Sequence, residues 1–245
     1  MSIDAPISRV QRVRHELKIR PVEVAEVRDI GSHFRRITFR GQALHDFHSA
    51  SFDDHVKFIL GQGEDAVKRD YTPRSFDPVS GELCIEFALH GDGPAATWAA
   101  QATVGQQALI GGPRGSLIIP MDYDWHLLVG DESALPAISR RLEELPDAAP
   151  VLVIVKVADE ADRRALATGR GADVRWVASD AELIAAVQAL ALPEGEGYAW
   201  CAGEAATMAA VRKELVGVQG LGKHQIRAAA YWKRGGVAFH ENLED

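Results

Sequence analysis

The chain has 245 residues, of which 47% are hydrophobic and 25% charged, and its formal net charge is −8. This length allows one large domain or two modest ones, each with a core of its own. The acidic balance argues against nucleic acid as a partner, and no apolar run is long enough to span a bilayer.

The first half of the chain predicts short strands interrupted by one helix. Segments rich in Val, Ile, Phe and Leu and broken by Gly, Asp or Pro predict strands near residues 19–28, 33–40, 55–60, 82–89 and 106–111. The helix is predicted over about 94–102. Short strands with turns and a single helix indicate a small antiparallel β-barrel.

The second half alternates apolar strands with helices. Strands are predicted at 126–130, 151–157, 173–177, 197–202 and 225–230, and helices at 131–145, 160–167, 180–190 and 204–216. Such alternation is typical of a parallel α/β sheet. The change of character near Pro120 divides the chain into a domain over 1–120 and another over 121–245.

Two segments of the first half suit a flavin dinucleotide. In a strand, Arg69 and Tyr71 share one face and Thr72 points to the other, which suits a ligand with an anion, a flat ring and a hydrogen-bonding edge. Farther along, a glycine-rich turn precedes a helix that begins with Pro94, whose free N–H groups can bind a phosphate. Together they predict a pocket with the ring on Tyr71 and Thr72 and the pyrophosphate on Arg69 and the helix start.

Two turns of the second half are placed where nucleotides bind in α/β proteins. Asp131 and Ser133 follow the first predicted strand, and Gly203 and Glu204 follow a later strand at the same edge of the sheet. The first turn is no G-x-G-x-x-G, so on its own a capped turn without ligand is an equal alternative. Two such turns on one edge favour a nucleotide.

Other segments leave alternatives open. His45, His48 and the run 53–55 could bind a metal, but their spacing matches no familiar ligand pattern, so no metal site is predicted. Arg114 lies either in a plain turn or within reach of a ligand, and the segment 231–236 is either a solvated tail or an anion-binding one. Cys84 and Cys201 are interpreted as buried thiols of a cytoplasmic protein.

Taken in order, these segments resemble the siderophore-interacting protein family, the FAD-dependent ferric-siderophore reductases of the ferredoxin-reductase-like superfamily. The resemblance runs from about residue 19 to 236 and implies an antiparallel FAD-binding barrel followed by a parallel NAD(P)H-binding α/β domain. It rests on seven segments, at 55–57, 69–74, 90–99, 112–115, 130–138, 202–204 and 231–232.

The resemblance also implies roles for individual residues. Thr72 is implied to be catalytic, by tuning the flavin. The FAD contacts are implied to come from Arg69, Tyr71, Thr72, Arg74, His90, Gly91, Asp92, Gly93, Pro94, Ala95 and Trp98. The nicotinamide-nucleotide contacts are implied to come from Asp131, Ser133, Ala134, Gly203 and Glu204. The basic residues implied for an anionic ferric siderophore are Lys57, Arg114, Lys233 and Arg234.

The implied reaction carries electrons from NAD(P)H through FAD to Fe(III) in a bound siderophore, which then releases Fe(II). NADPH is favoured because Lys156, Arg163 and Arg164 can supply charge for a 2′-phosphate. We expect a cytoplasmic monomer without nucleic-acid or membrane partners. Two alternatives remain open: a general flavin or ferredoxin-type reductase with a protein acceptor, and a non-catalytic siderophore-binding protein.

Overall fold

The computed structural model describes residues 9–89, 93–167, 169, 171–236 and 241–243. Its strands are β1 (Gln11–Arg14), β2 (Ile19–Ile30), β3 (Phe34–Arg40), β4 (Val56–Leu60), β5 (Val67–Tyr71), β6 (Pro73–Asp77), β7 (Glu82–Ala88), β8 (Gln107–Gly111), β9 (Gly115–Ile118), β10 (Trp125–Gly130), β11 (Val151–Lys156), β12 (Ala172–Val177), β13 (Gly197–Glu204), β14 (Ile226–Trp232) and β15 (Glu241–Asn242). Its helices are α1 (Pro94–Ala100), α2 (Leu135–Glu144), α3 (Asp180–Gln188) and α4 (Ala205–Lys213), the last followed by a π-helical turn over Glu214–Val218.

The first half forms an antiparallel sheet with the strand order β5-β4-β8-β2-β3-β7-β6. Alternating side chains build its core, in which Phe39, Phe58 and Phe87 lie with ring centroids 5.2 to 6.5 Å apart. The helix α1 covers this cluster and adds Trp98, 4.7 Å from Phe58. The strands β1 and β9 pair separately as a two-stranded antiparallel ribbon.

The second half forms a sheet with the order β12-β11-β10-β13-β14-β15. The first five strands are parallel, and every residue of β10 and β13 is buried, which explains their continuous apolar runs. The predicted barrel-plus-α/β architecture is confirmed. The short β15 adds an antiparallel edge that the prediction lacked.

The predicted helix over 160–167 is wrong. Only a 3₁₀ turn forms, at Glu160–Asp162, and residues 163–167 have no regular structure. The buried carboxylate of Asp162 accepts hydrogen bonds of 2.9 Å from the backbone N–H groups of Ser32 and His33 in the β2–β3 turn. This segment is therefore held by contacts with the antiparallel sheet, which a helix would displace.

The prediction that both cysteines are buried thiols is confirmed. Cys84 and Cys201 are both free and buried. Burial raises the pKa of the Cys84 thiol to about 11, so it stays protonated at neutral pH.

Across the described ranges, none of the helices has the length and apolar character that a membrane crossing requires.

Candidate functional site

A cleft of about 710 Å³ lies where the antiparallel sheet meets the carboxyl edge of the α/β sheet. Ligand pockets in proteins commonly fall between about 300 and 1,000 Å³. One wall comes from β4, β5 and the start of α1, and the other from the turn after β10, the end of β11 and the segment after β14. The two halves of the chain therefore share one cavity.

At one end of the cleft lie Arg69, Tyr71 and Thr72. The Tyr71 ring packs 4.4 Å from the Phe87 ring, and burial raises the pKa of Tyr71 to about 12, so its phenol is neutral. Arg69 Nη1 donates a hydrogen bond of 2.9 Å to the carbonyl oxygen of Lys68. This end presents a flat neutral ring, a hydroxyl and a guanidinium side by side.

The start of α1 forms the adjoining wall. Gly93 and Ala95 line the cleft, and nothing lies within 4 Å of where a Cβ on Gly93 would stand. The backbone there leaves room for a ligand, and a phosphate at this position stays a prediction. Trp98 does not line the cleft, because it packs into the barrel core. His90, Gly91 and Asp92 lie outside the described residues.

The carboxylate of Asp131 holds three segments together. Its Oδ1 accepts from the backbone N–H of Ser133 at 2.9 Å, and its Oδ2 accepts from the N–H of Glu204 at 2.9 Å and from Trp232 Nε1 at 2.8 Å. A Cβ on Gly203 would stand 2.6 Å from Asp131 Oδ2, so only glycine leaves room for this carboxylate. Asp131 thus fixes the geometry of the sheet edge.

The carboxylate of Glu204 also accepts hydrogen bonds from backbone N–H groups of separate segments. Its Oε2 accepts from the N–H groups of Ala206 and Thr207 at the start of α4, and its Oε1 accepts from the N–H of Arg234 at 3.2 Å. Sequence reasoning correctly brought Asp131 and Glu204 to one edge, and its alternative of a capped turn at Asp131 is seen in the bond from Ser133. It missed the bonds of Asp131 to Glu204 and Trp232 and the use of the Glu204 carboxylate within the protein. The contact of Asp131 and Glu204 with a nucleotide stays a prediction, as does that of the buried Ala134, whereas Ser133 lines the cleft.

The predicted basic residues divide into two groups. Lys57 and Lys233 line the cleft, and Lys57 Nζ lies 2.7 Å from Asp70 Oδ2. Arg114 and Arg234 lie outside the lining. Arg114 is exposed on the turn between β8 and β9, and Arg234 donates a hydrogen bond of 3.0 Å to Asp180.

Arg74, predicted to bind the cofactor, is buried and does not line the cleft. It pairs with Glu143 of α2 and lies 3.5 Å from Glu86. Glu86 is itself fully buried and accepts from Arg36 of β3 and from Arg164 beyond β11, each at 2.5 Å. Burial alone would raise the pKa of Glu86, but these two guanidinium groups hold it below its ordinary value. Arg74 and Arg164 therefore join the two halves of the chain.

The two aspartates of the group considered for metal binding accept hydrogen bonds from other protein groups. Asp53 accepts 2.8 Å bonds from Trp200 Nε1 and Arg227 Nε, both on the α/β sheet, while Asp54 accepts from Ser116 at 2.8 Å. The described part of the chain contains no group of three or more His, Cys, Asp or Glu side chains placed to hold a metal ion.

Sequence reasoning missed several cleft residues. Lys68 and Asp70 lie on β5, on the face opposite to Arg69 and Tyr71, and both line the cleft. The Oδ1 atom of Asp70 is buried without a hydrogen-bond partner among the described residues. Lys156 was not missed, because sequence reasoning already named it for the 2′-phosphate; it lines the cleft at the carboxyl end of β11, where ligands bind in open α/β sheets. An unsatisfied acceptor, an open glycine backbone, an arginine and a neutral ring together fit a flavin dinucleotide.

Comparison with known families covers both halves of the chain. The model of the siderophore-interacting FAD-binding domain matches residues 23–68 and 60–117. The model of the siderophore-interacting protein family matches residues 123–235.

Individual proteins are similar over most of their length. The NADPH-dependent ferric-chelate reductase of Escherichia coli is 36% identical over 91% of this chain and 96% of its own. The ferric vibriobactin reductase of Vibrio cholerae is 30% identical over 86% of this chain and 89% of its own. A siderophore utilization protein from T. fusca superimposes with a TM-score of 0.88 at 32% identity, covering 94% of this chain and 98% of that one. A ferredoxin NADP⁺ reductase from Neisseria gonorrhoeae, at 13% identity and a TM-score of 0.67, covers 88% of this chain and 99% of that one and shares the fold.

Proposed function

Because this chain belongs to the siderophore-interacting protein family, we propose that it is a flavin-dependent reductase that passes electrons from NAD(P)H to Fe(III) in a ferric siderophore. One observation carries the proposal: a single cleft joins the Tyr71–Thr72 end to the carboxyl edge of the α/β sheet at Ser133 and Lys156. Bound FAD supplies the conversion between a two-electron donor and a one-electron acceptor. The protein supplies placement and charge.

The residues of the first half hold the flavin. Tyr71 offers its neutral ring to the isoalloxazine, and Thr72 offers a hydroxyl to its hydrogen-bonding edge. Arg69 and the backbone at Gly93 neutralise the pyrophosphate. We assign this task to residues 1–120 and NAD(P)H binding to residues 121–245, a division that the matched ranges 23–117 and 123–235 support.

Cations at the cleft attract the chelate. Lys57, Lys68 and Lys233 line it, with Asp70 paired to Lys57, so these ammonium groups attract an anionic ferric siderophore locally, once it reaches the cleft. Hard oxygen chelators hold Fe(II) far more weakly than Fe(III), so iron leaves after reduction. We further propose a monomer that works in the cytoplasm without nucleic-acid or membrane partners. The buried free thiols support the cytoplasm, and the charge of −8 argues against nucleic acid.

Lys57→Ala is expected to raise KM for an anionic ferric chelate several-fold while leaving NADPH oxidation by a neutral acceptor within about twofold. The reason is that Lys57 contributes attraction for the anion and takes no part in flavin reduction. Steady-state kinetics with both acceptors measure the split. Lys213→Ala on α4, outside the cleft lining, is the matched charge-removal control. An equal change for both acceptors would contradict the role of Lys57.

Thr72→Ala is expected to slow flavin reduction by NADPH about tenfold or more and to weaken FAD binding less than threefold. A hydroxyl that hydrogen-bonds the flavin edge affects its reactivity more than its retention, because the ring and pyrophosphate contacts persist. Stopped-flow absorbance measures the rate and fluorescence titration the affinity. Thr72→Ser keeps the hydroxyl and should restore most of the rate; an alanine variant with unchanged reduction would refute the assignment.

Two rival functions make different predictions. A reductase of a protein partner would reduce soluble ferric chelates slowly on its own, and a non-catalytic binder would bind chelate without retaining flavin. Turnover of a soluble Fe(III) chelate by the purified protein with NADPH, followed through a coloured Fe(II) complex, supports the proposal. Absence of turnover in a flavin-loaded protein would favour the first rival.

A further inference from the structure

The strand order fixes where the two ends of a nicotinamide coenzyme lie. Tyr231, at the end of β14, contacts Thr72 at the flavin end of the cleft. Lys156, at the end of β11, lines the same cleft three strands away in the order β11-β10-β13-β14. At about 4.8 Å per strand this separation is roughly 14 Å. A nicotinamide ring that meets the flavin must therefore direct its adenosine half towards the ends of β11 and β12.

A compact charge cluster lies at that far end. Lys156 Nζ donates a hydrogen bond of 2.9 Å to Asp180 Oδ1, and Arg234 Nη2 donates one of 3.0 Å to Asp180 Oδ2. The Lys156 side chain is only 11% exposed, and its Nζ also lies 3.8 Å from Glu132 Oε2. Burial opposes ionisation of Asp180, but Lys156 and Arg234 outweigh it and hold the pKa of this carboxyl below its ordinary value. One carboxylate thus orients two cations, of which Lys156 lines the cleft and Arg234 lies outside its lining.

The other basic residues considered for this task are committed elsewhere. Arg163 pairs with Glu160 at the surface, at 2.7 Å, and Arg164 is directed into the antiparallel sheet by Glu86. Neither lines the cleft, whereas Lys156 does. The segment 176–179 contains no basic residue. Lys156, at the end of β11, and Arg234, just after β14, are therefore the cations available to bind the adenosine half.

We propose that Lys156 and Arg234, oriented by Asp180, bind the 2′-phosphate of NADPH and make this chain prefer NADPH over NADH. The inference rests on the proposed function and adds its coenzyme specificity. Charge-assisted hydrogen bonds from two cations favour the phosphate, while Asp180 and Glu132 limit the gain. Removing Lys156 leaves both carboxylates facing the phosphate, so the preference should move towards NADH.

The direct test uses 2′,5′-ADP and 5′-AMP, which differ only by the 2′-phosphate, in calorimetric titrations of the full chain. The wild type is expected to bind 2′,5′-ADP more tightly. Lys156→Met should lower its affinity for 2′,5′-ADP by about tenfold or more and its affinity for 5′-AMP by less than threefold. Lys156→Arg should retain most of the affinity. Arg175→Met removes one exposed positive charge from β12, outside the cleft lining, as the control.

Arg234→Met gives a second variant that is safe for folding, because this side chain is 75% exposed. It should lower 2′,5′-ADP affinity about threefold, and in FAD-loaded protein both variants should lower the ratio of kcat/KM for NADPH to that for NADH. Equal wild-type affinity for the two nucleotides, or a parallel loss of both in Lys156→Met, would overturn the inference. Flavin reduced equally well by NADH and NADPH would overturn the inference while the proposed function stands.

Discussion

Asp53→Ala is expected to lower the free energy of unfolding by about 3–5 kcal/mol. Asp53 is 6% exposed and is the acceptor for both Trp200 Nε1 and Arg227 Nε. Its removal leaves a guanidinium and an indole N–H buried without their partner, which costs far more than the loss of a surface pair. Urea denaturation followed by tryptophan fluorescence measures the change from the transition midpoint and slope.

Glu160→Ala provides the comparison for that measurement. Glu160 pairs with Arg163 at 2.7 Å, but its side chain is 81% exposed, so the expected loss is within about 1 kcal/mol. Equal losses in the Asp53 and Glu160 variants would show that the contact between the antiparallel and α/β sheets at Asp53 does not depend on the buried ion pair.

Arg69→Ala is expected to weaken FAD binding by roughly tenfold to a hundredfold with little change in stability, since a charge-assisted hydrogen bond to phosphate contributes about 1.5–3 kcal/mol. Arg69 lines the cleft, and its side chain donates a hydrogen bond to the neighbouring Lys68 carbonyl, so the fold loses little. Quenching of FAD fluorescence on titration measures the affinity.

Arg40→Ala is the matched control for Arg69. Arg40 lies on β3 of the same sheet, pairs with Glu23 at 2.8 Å and is 59% exposed, outside the cleft lining. It should leave FAD affinity within about twofold of the wild type. An Arg69 variant that binds FAD as tightly as the Arg40 variant would refute the pyrophosphate assignment.

Much of the fold was predictable because its strands are buried in recognisable patterns. β10 is buried on both faces and gives a continuous apolar run, while β3 alternates over residues 36–40, with Ile37 and Phe39 buried. β1 was not predictable, since all four of its residues are exposed and it pairs only with β9. Hydrophobic periodicity reports burial, so a strand without a buried face leaves no signal.

The site was predictable by position more than by role. Sequence order and strand ends brought Tyr71, Thr72, Ser133 and Lys233 to one cleft. The long-range contacts of Asp131 were not predictable, because its partners Glu204 and Trp232 are distant in sequence and only the folded sheet brings their N–H groups to its carboxylate. Arg74 shows the same limit, since its partner Glu143 lies on another element of the other half.

The central claim is tested most directly by loading the purified protein with FAD, desalting it, and recording its visible spectrum before and after anaerobic NADPH. We expect a flavin band that survives desalting, bleaches with NADPH, and returns when a soluble Fe(III) chelate is added. Failure to retain flavin, or a retained band that NADPH does not bleach, would contradict it.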